Sequence, residues 1–447
     1  MELTTASVIG LGKLGAPMAA AIASRGLYVI GVDVDARKVE ALSSGRPPVF
    51  EPGLADLLQA TKGRLTATND LGAAVLASDV TFIVVPTPSE PGGGFSLKYV
   101  LQACEGIGVG LATKNRFHLV VLTSTVMPGS TGGPVREVLE KTSGKRCGED
   151  FGLCYSPEFI ALGSVIRDFL NPDLILIGES DPRSGALLEQ LYRRICENNP
   201  PVARMNFVNA ELTKLAVNTF VTTKISFANM LARICERLPG GDVDVVTRAL
   251  GLDSRIGPKY LKGAVGYGGP CFPRDNLALV ALADQLGVPA TIAEATDEFN
   301  RSQVDWLADR LKEYLSPDGK VGILGLTYKP HTDVVEEAFG LMLAAKLADQ
   351  GYTVVAYDPA GLGNAQRILG SRVRFVDAAE QCIAEADVVV VATPWPLFRE
   401  LPAEAWARHS PPRVVVDCWR VLGHLAGHAG VAHVPLGVFG GLAAQAG

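Results

Sequence analysis

Alternation along the 447-residue chain is what most limits its possible folds. Short apolar runs ending in Gly, Asp or Pro take turns with stretches of helical periodicity, and unbroken apolar strands of this kind belong to parallel sheets covered on both faces. Val8 to Gly10, Tyr28 to Asp33, Asp79 to Pro86, Leu119 to Ser124 and Leu174 to Gly178 are the expected strands of the first part. From about Asn209 to Leu238 one helical stretch, rich in Ala, Leu, Lys and Arg, runs without Pro or Gly and reads as a spine. Strands return at Val321 to Gly325, Thr353 to Asp358, Asp387 to Ala392 and Val414 to Asp417. Ser78-Asp79-Val80-Thr81-Phe82-Ile83-Val84-Val85-Pro86 is echoed by Ala386-Asp387-Val388-Val389-Val390-Val391-Ala392-Thr393-Pro394. The expected class is therefore α/β: two doubly wound units of similar plan, with ligands in a crevice at the strand carboxyl ends. The length itself calls for two or three domains.

Composition removes several kinds of partner. A net charge of −6 offers no general cationic field for nucleic acid or an anionic membrane surface, so neither is expected as a partner. No apolar run reaches membrane-spanning length and no basic leader precedes Ala6-Ser7-Val8-Ile9, so a soluble cytoplasmic protein is expected. Eight cysteines are scattered without a Cys-x-x-Cys pair and the six histidines form no His-Glu-x-x-His pattern, so no metal is expected.

Gly10-Leu11-Gly12-Lys13-Leu14-Gly15 follows the first strand and opens a helix from Ala16 to Arg25, the context of a Rossmann dinucleotide fingerprint. Gly10 makes the turn, Gly12 lets backbone reach a pyrophosphate, and Gly15 lets helix pack on strand. The pyrophosphate then sits at the positive end of the helix. Asp33, about 20 residues on, suits a ribose 2′-hydroxyl and repels a 2′-phosphate, which favours NAD over NADP. The bland alternative is a tight turn with a solvated acid.

Gly266-Tyr267-Gly268-Gly269-Pro270-Cys271-Phe272-Pro273-Arg274-Asp275-Asn276 places one cysteine on a glycine-rich loop before a helix running through Leu286. A helix amino terminus favours the thiolate, which is the nucleophile. Asp275 follows one turn later, on the same face. Lone cysteines beside helices are usually small core residues, but the glycines and the acid point to chemistry. On the spine, Lys214 and Asn218 also lie one turn apart and could hold an oxyanion, although such pairs are usually solvated.

The fingerprint, Glu51-Pro52-Gly53-Leu54, Ser124-Thr125-Val126-Met127-Pro128-Gly129, Ser156-Pro157-Glu158-Phe159, Lys214 with Asn218, Arg255-Ile256-Gly257, Gly268-Gly269-Pro270-Cys271-Phe272-Pro273, and Tyr328-Lys329-Pro330 with Thr332-Asp333 occur in the order of the UDP-glucose/GDP-mannose dehydrogenases, which nearly the whole chain resembles. The resemblance implies an NAD-binding Rossmann domain at 1–205, a central helical dimerisation domain carrying Cys271 at 206–312, and a Rossmann-like nucleotide-sugar domain at 313–447. It implies a homodimer in which Arg255 reaches the partner's substrate. It implies NAD contacts from Leu14, Lys38, Thr87, Thr125 and Arg274 beside the fingerprint. It implies substrate contacts from Glu158, Phe159, Lys214, Asn218, Arg255, Tyr260, Leu261, Gly268, Lys329 and Arg420. Oxidation of a sugar CH2OH to a carboxylate would then use Cys271, Lys214, Asn218, Asp275, Glu158 and Thr125, through a thiohemiacetal and a thioester.

The chain departs from the family pattern at four places. Arg274 replaces a lysine, Leu162 stands where a second glutamate is usual, Val334-Val335-Glu336 replaces Asp-Val-Arg, and Trp419 takes an arginine's place with Arg420 one position later. Two other readings stay open at this stage. One is a single-hydride dehydrogenase of the hydroxyacid or 6-phosphogluconate type, which needs neither the cysteine nor the second α/β unit. The other is an NAD-binding redox sensor.

Overall fold

The computed structural model describes residues 3–440, so the first two residues of the expected first domain and the last seven of the expected last domain lie outside the described residues. The chain forms two compact units, Met1–Ala216 and Val217–Gly447. The boundary falls inside one helix, Phe207–Cys235, which realises the expected spine.

In the first unit an eight-stranded sheet has the order β3-β2-β1-β4-β5-β6-β7-β8. Its strands are β1 (Thr5–Ile9), β2 (Tyr28–Val32), β3 (Leu65–Thr68), β4 (Val80–Ile83), β5 (His118–Leu122), β6 (Phe151–Tyr155), β7 (Ile175–Glu179) and β8 (Val202–Met205). The first six pair in parallel, with Ile9 beside Val32 and Ile83 beside Leu122 at their carboxyl ends. The expectation of parallel strands throughout is corrected at β7, which runs antiparallel to β6, with β8 parallel to it. Both faces are apolar: Val8, Phe82 and Ile177 enter one core, Ile9, Val120 and Leu176 the other. This two-sided burial is why the strands read as unbroken apolar runs.

The second unit holds an entirely parallel six-stranded sheet, β11-β10-β9-β12-β13-β14. Its strands are β9 (Lys320–Leu324), β10 (Thr353–Tyr357), β11 (Arg374–Phe375), β12 (Val388–Val391), β13 (Arg413–Asp417) and β14 (Val431–Pro435). This unit also contains the helices Val243–Leu252, Phe272–Gln285 and Thr291–Leu311.

The echo between the units reaches single hydrogen bonds. After β1, the Gly10 N–H donates to the Val32 carbonyl at 2.7 Å and the Leu11 N–H to Asp33 Oδ2 at 2.7 Å. After β9, Gly325 donates to the Tyr357 carbonyl at 2.9 Å and Leu326 to Asp358 Oδ2 at 2.7 Å. A Cβ on Gly15 would lie 1.8 Å from the Gly10 oxygen, and one on Gly340 would lie 2.0 Å from the Gly325 oxygen. Both units thus make the same strand-to-helix turn, but the second lets a long loop in between its two glycines. Among the described residues no helix is long and apolar enough to cross a membrane, and no cluster of three or more His, Cys, Asp or Glu could hold a metal ion.

Candidate active site

The expected cofactor residues of the glycine fingerprint lie in the first unit. Gly10 adopts φ +96°, a left-handed conformation that favours glycine. A Cβ on Gly12 would meet nothing within 4 Å, so the backbone there is open to a close ligand. The helix Gly15–Ser24 begins without a side-chain cap, which leaves its first N–H groups to a phosphate. Asp33 follows β2 directly, and besides Leu11 it receives the Asp35 N–H at 2.9 Å and the Lys38 ammonium at 3.2 Å. These residues fit a dinucleotide. In the second unit Asp358 is saturated: one oxygen accepts from Ala360 and Gly361, the other from Leu326, Thr327 and the Trp395 indole. That turn keeps the shape of the first but offers no carboxylate for a ribose.

Two further loops of the first unit carry expected residues. The Thr87 hydroxyl donates to the Thr125 carbonyl at 2.8 Å, joining the loops after β4 and β5. Buried Glu211, on the long helix, accepts the Gly129 N–H at 2.6 Å and the Thr131 N–H at 2.8 Å and so pins the Thr125 loop. Glu51 does the same for the loop after β6, accepting from Gly163 at 2.9 Å and Val165 at 2.7 Å. That loop presents Glu158 and Phe159. The Lys214 ammonium donates to the Glu158 carbonyl at 2.6 Å and lies 4.5 Å from the centre of the Phe159 ring. Glu158 is half-buried, and burial pushes its carboxyl group up to about 7 against the opposing pull of the Tyr192 hydroxyl and the Lys214 charge.

The expected nucleophile lies in the second unit. Of the chain's eight cysteines Cys271 alone is exposed; burial holds the other thiols for which a shift is resolved above their ordinary range. Cys271 caps the helix Phe272–Gln285, and its carbonyl accepts the Asp275 N–H at 2.8 Å. Asp275 is 1% exposed, and its carboxylate accepts the Asn218 amide at 2.6 Å, with Arg274 Nε 3.4 Å away. Lys214 and Asn218 share one helix a single turn apart, so Asn218 ties the spine to the cysteine helix.

The loop before Cys271 is clamped by two carboxamides. Asn229 accepts the Ala264 N–H at 2.7 Å and donates to the Val265 carbonyl at 2.8 Å. Asn300 accepts the Tyr267 N–H at 2.8 Å and donates to its carbonyl at 3.0 Å. The glycines then press on the loop after β9: a Cβ on Gly268 would lie 2.1 Å from the Glu337 carbonyl oxygen, and one on Gly269 2.8 Å from the Tyr328 ring. The Gly269 N–H donates to the Glu336 carbonyl at 3.0 Å. Tyr260, in a left-handed conformation, and Tyr267 both set ring edges against Phe272, while Leu261 is buried.

Arg255 is exposed and its guanidinium is held by Asp253, with the shortest contact at 2.6 Å. Lys329 lies on the loop after β9, its ammonium 5.9 Å from the Tyr328 ring centre. Arg420, expected at the substrate, is committed inside the protein. It pairs bidentately with Asp244 at 2.8 and 2.9 Å, donates to the carbonyls of Gly263 and Leu436, and is only 7% exposed. Asn229, Asn300 and Tyr192 were not expected, because an amide or hydroxyl within a helical pattern carries no signal of its own, and Ser156 stood in a motif without a role. Glu51 stood in a quoted motif without a role.

Models of the UDP-glucose/GDP-mannose dehydrogenase family match in three consecutive parts: the NAD binding domain over residues 4–196, the central domain over 208–302 and the UDP binding domain over 322–424. A UDP-glucose 6-dehydrogenase of Haloferax volcanii is 38% identical over 94% of this chain and 97% of its own. A GDP-mannose 6-dehydrogenase of Pseudomonas putida is 34% identical over 89% and 93%. The solved structure of a UDP-glucose dehydrogenase from Pyrobaculum islandicum superposes with a TM-score of 0.88 at 36% identity, covering 98% of both chains. The chain belongs to the UDP-glucose/GDP-mannose dehydrogenase family and is an NAD-dependent dehydrogenase.

Proposed function

We propose that the chain oxidises the C6 hydroxymethyl group of a nucleotide-sugar to a carboxylate, with UDP-glucose to UDP-glucuronate as the first candidate. The observation that carries this reading is Cys271: the one exposed thiol, at a helix amino terminus, one turn before a buried acid held by Asn218. NAD, when bound along Gly10, Gly12, Gly15 and Asp33, takes up a hydride in each of two rounds.

The alcohol proton passes to Asp275 through water, with Lys214 beside the oxygen. The Cys271 thiolate then adds to the aldehyde carbon, and Lys214 and Asn218 donate to the oxygen that gains the charge. Loss of the second hydride leaves a thioester on Cys271. Its hydrolysis forms a bond from water oxygen to the acyl carbon, breaks the carbon–sulfur bond, returns the thiolate and gives one water proton to Glu158. A carboxyl group titrating near 7 suits that exchange. Thr125 and Asp275 hold the water. Lys329, Tyr260 and Arg255 bind the substrate.

Arg255 is to act in a homodimer, on the partner's substrate. The long helix supports this: Phe220, Phe227 and Ile234 recur at intervals of two turns and are 67%, 47% and 51% exposed. GDP-mannose is the second substrate to test, favoured by the 34% identity to a GDP-mannose 6-dehydrogenase.

NADH formed per limiting UDP-glucose tests the chemistry. Two NADH and a carboxylate product are expected; one NADH and an aldehyde would overturn the thioester route. None would move the same measurement to GDP-mannose. The variant Cys271→Ala is expected to stop at the aldehyde level, and full oxidation by it would remove the cysteine from the mechanism.

A further inference from the structure

Behind Glu158 lies a short line of hydroxyl groups sealed from solvent. The Tyr192 hydroxyl oxygen is 3.3 Å from Glu158 Oε1, and Ser156 Oγ is 3.0 Å from the Tyr192 oxygen and 3.0 Å from the Leu176 carbonyl oxygen. Ser156 is 2% and Tyr192 1% exposed, so water does not complete these contacts. The protons can be counted. Three contacts run from the carboxyl group to the Leu176 carbonyl, which only accepts, and the two hydroxyls bring two protons. While Glu158 is ionised one contact lacks a proton, and when Glu158 is protonated all three are filled. The chain then runs in one direction: Glu158 to Tyr192, Tyr192 to Ser156, Ser156 to Leu176.

We propose that Tyr192 and Ser156 form a reversible relay behind Glu158: Tyr192 donates to the charged carboxylate, and turns to donate to Ser156 once Glu158 has taken a proton. The relay rests on the reading of Glu158 as the base that hydrolyses the thioester. It makes Tyr192 and Ser156 positioning residues, which touch the base and leave the substrate alone. No bond to carbon or sulfur changes; Glu158 gains the one proton, the Tyr192 hydroxyl hydrogen rotates from Glu158 to Ser156, and Ser156 goes on donating to Leu176. Lys214, on the long helix, and Cys196, at the end of the helix that carries Tyr192, are charged or titratable groups that also act on Glu158.

Two variants should displace Glu158 in opposite directions. Tyr192→Phe removes a donor to the charged form, where the hydrogen bond is strongest, and is expected to move the titration of Glu158 up by about one pH unit, tenfold in proton affinity. Ser156→Ala deprives Tyr192 of its alternative acceptor, favours donation to the carboxylate and is expected to move the titration down. Each deletes a single oxygen and adds no volume, so either can stand alone if the other misfolds. Infrared difference spectra across a pH series read the carboxyl band directly, with Glu158→Gln identifying it. In parallel, breakdown of the Cys271 acyl-enzyme made from UDP-glucose and NAD is followed by intact mass against pH. Opposite displacements of band and rate profile, with the first hydride transfer unchanged, are the expected result. Displacements in the same direction, or none, overturn the relay. If Glu158→Gln hydrolyses the acyl-enzyme at the normal rate, the base assignment falls instead, and the infrared displacements still decide the relay.

Discussion

Gly12 and Gly15 stand three residues apart and have opposite reasons to be glycine. A methyl group on Gly15 would occupy the position of the Gly10 carbonyl oxygen, whereas one on Gly12 would point into open space. Gly15→Ala is therefore expected to lose about 1–3 kcal/mol of stability through overpacking, measured by chemical denaturation. Gly12→Ala should unfold at the same denaturant concentration as the parent and show its defect as weaker NAD binding by calorimetry. Glu158 carries a different conflict, set by charge. Its carboxyl titrates at about 7 in the folded chain against an ordinary 4.5, so the folded state binds more protons across that window. The cost of Glu158 is absent below about pH 4.5, grows as pH rises and is complete above about 7. Denaturation midpoints of Glu158→Gln and the parent should coincide near pH 4.5 and separate at pH 8, with the variant the more stable. The reverse order at pH 8 would show that burial does not disfavour the charged form.

At the scale of strands and loops, the sequence was legible where burial is two-sided and obscure where it is not. β1, β4 and β5 announce themselves because they are buried on both faces and mostly apolar, the buried polar exceptions Ser7, Thr81 and His118 satisfying one another by hydrogen bonds across the sheet. β3 and β8 are edge strands, largely half-buried, and their mixed residues carry no such run. β6 is hidden for another reason: Gly152 reads as a strand breaker, but a Cβ there would lie 2.2 Å from the Ser184 hydroxyl of the helix packed on the sheet. The cysteine loop could be read from its glycines and acid, but not what holds it, because Asn229 and Asn300 look like ordinary polar positions of helices. The ion pair of Arg420 was equally hidden: a guanidinium expected at a substrate looks the same in sequence as one that ties β13's exit to the helix Val243–Leu252 through Asp244. Asn300→Ala strips the Tyr267 peptide of both partners in a buried setting, which costs about 1–3 kcal/mol per unsatisfied group. Its expected signature is a kcat loss with NAD affinity intact; unchanged kcat would show that the loop holds its shape without the clamp.

Across the whole molecule, the assignment of Arg255 to a partner's site has a clean genetic readout. Mixed dimers of Arg255→Ala and Cys271→Ala contain one site with neither defect, so refolding the two inactive variants together should restore activity. Continued inactivity, in mixtures shown by mass to contain the mixed dimer, would place Arg255 on its own chain's substrate. Phe227→Glu should shift the sedimentation coefficient to that of a monomer and abolish turnover. Within the second unit, the contact of Gly268 and Gly269 with the Glu336–Glu337 backbone and the Tyr328 ring bears on how such enzymes diversify. The glycines leading to Cys271 and the loop after β9 interlock like cut stones, without room for a methyl group at the joint. Recombination that exchanges the nucleotide-reading domain alone would hand Cys271 a mismatched seat, so chimaeras in this family should work only when the segment from Tyr260 to Cys271 travels with the loop it rests on.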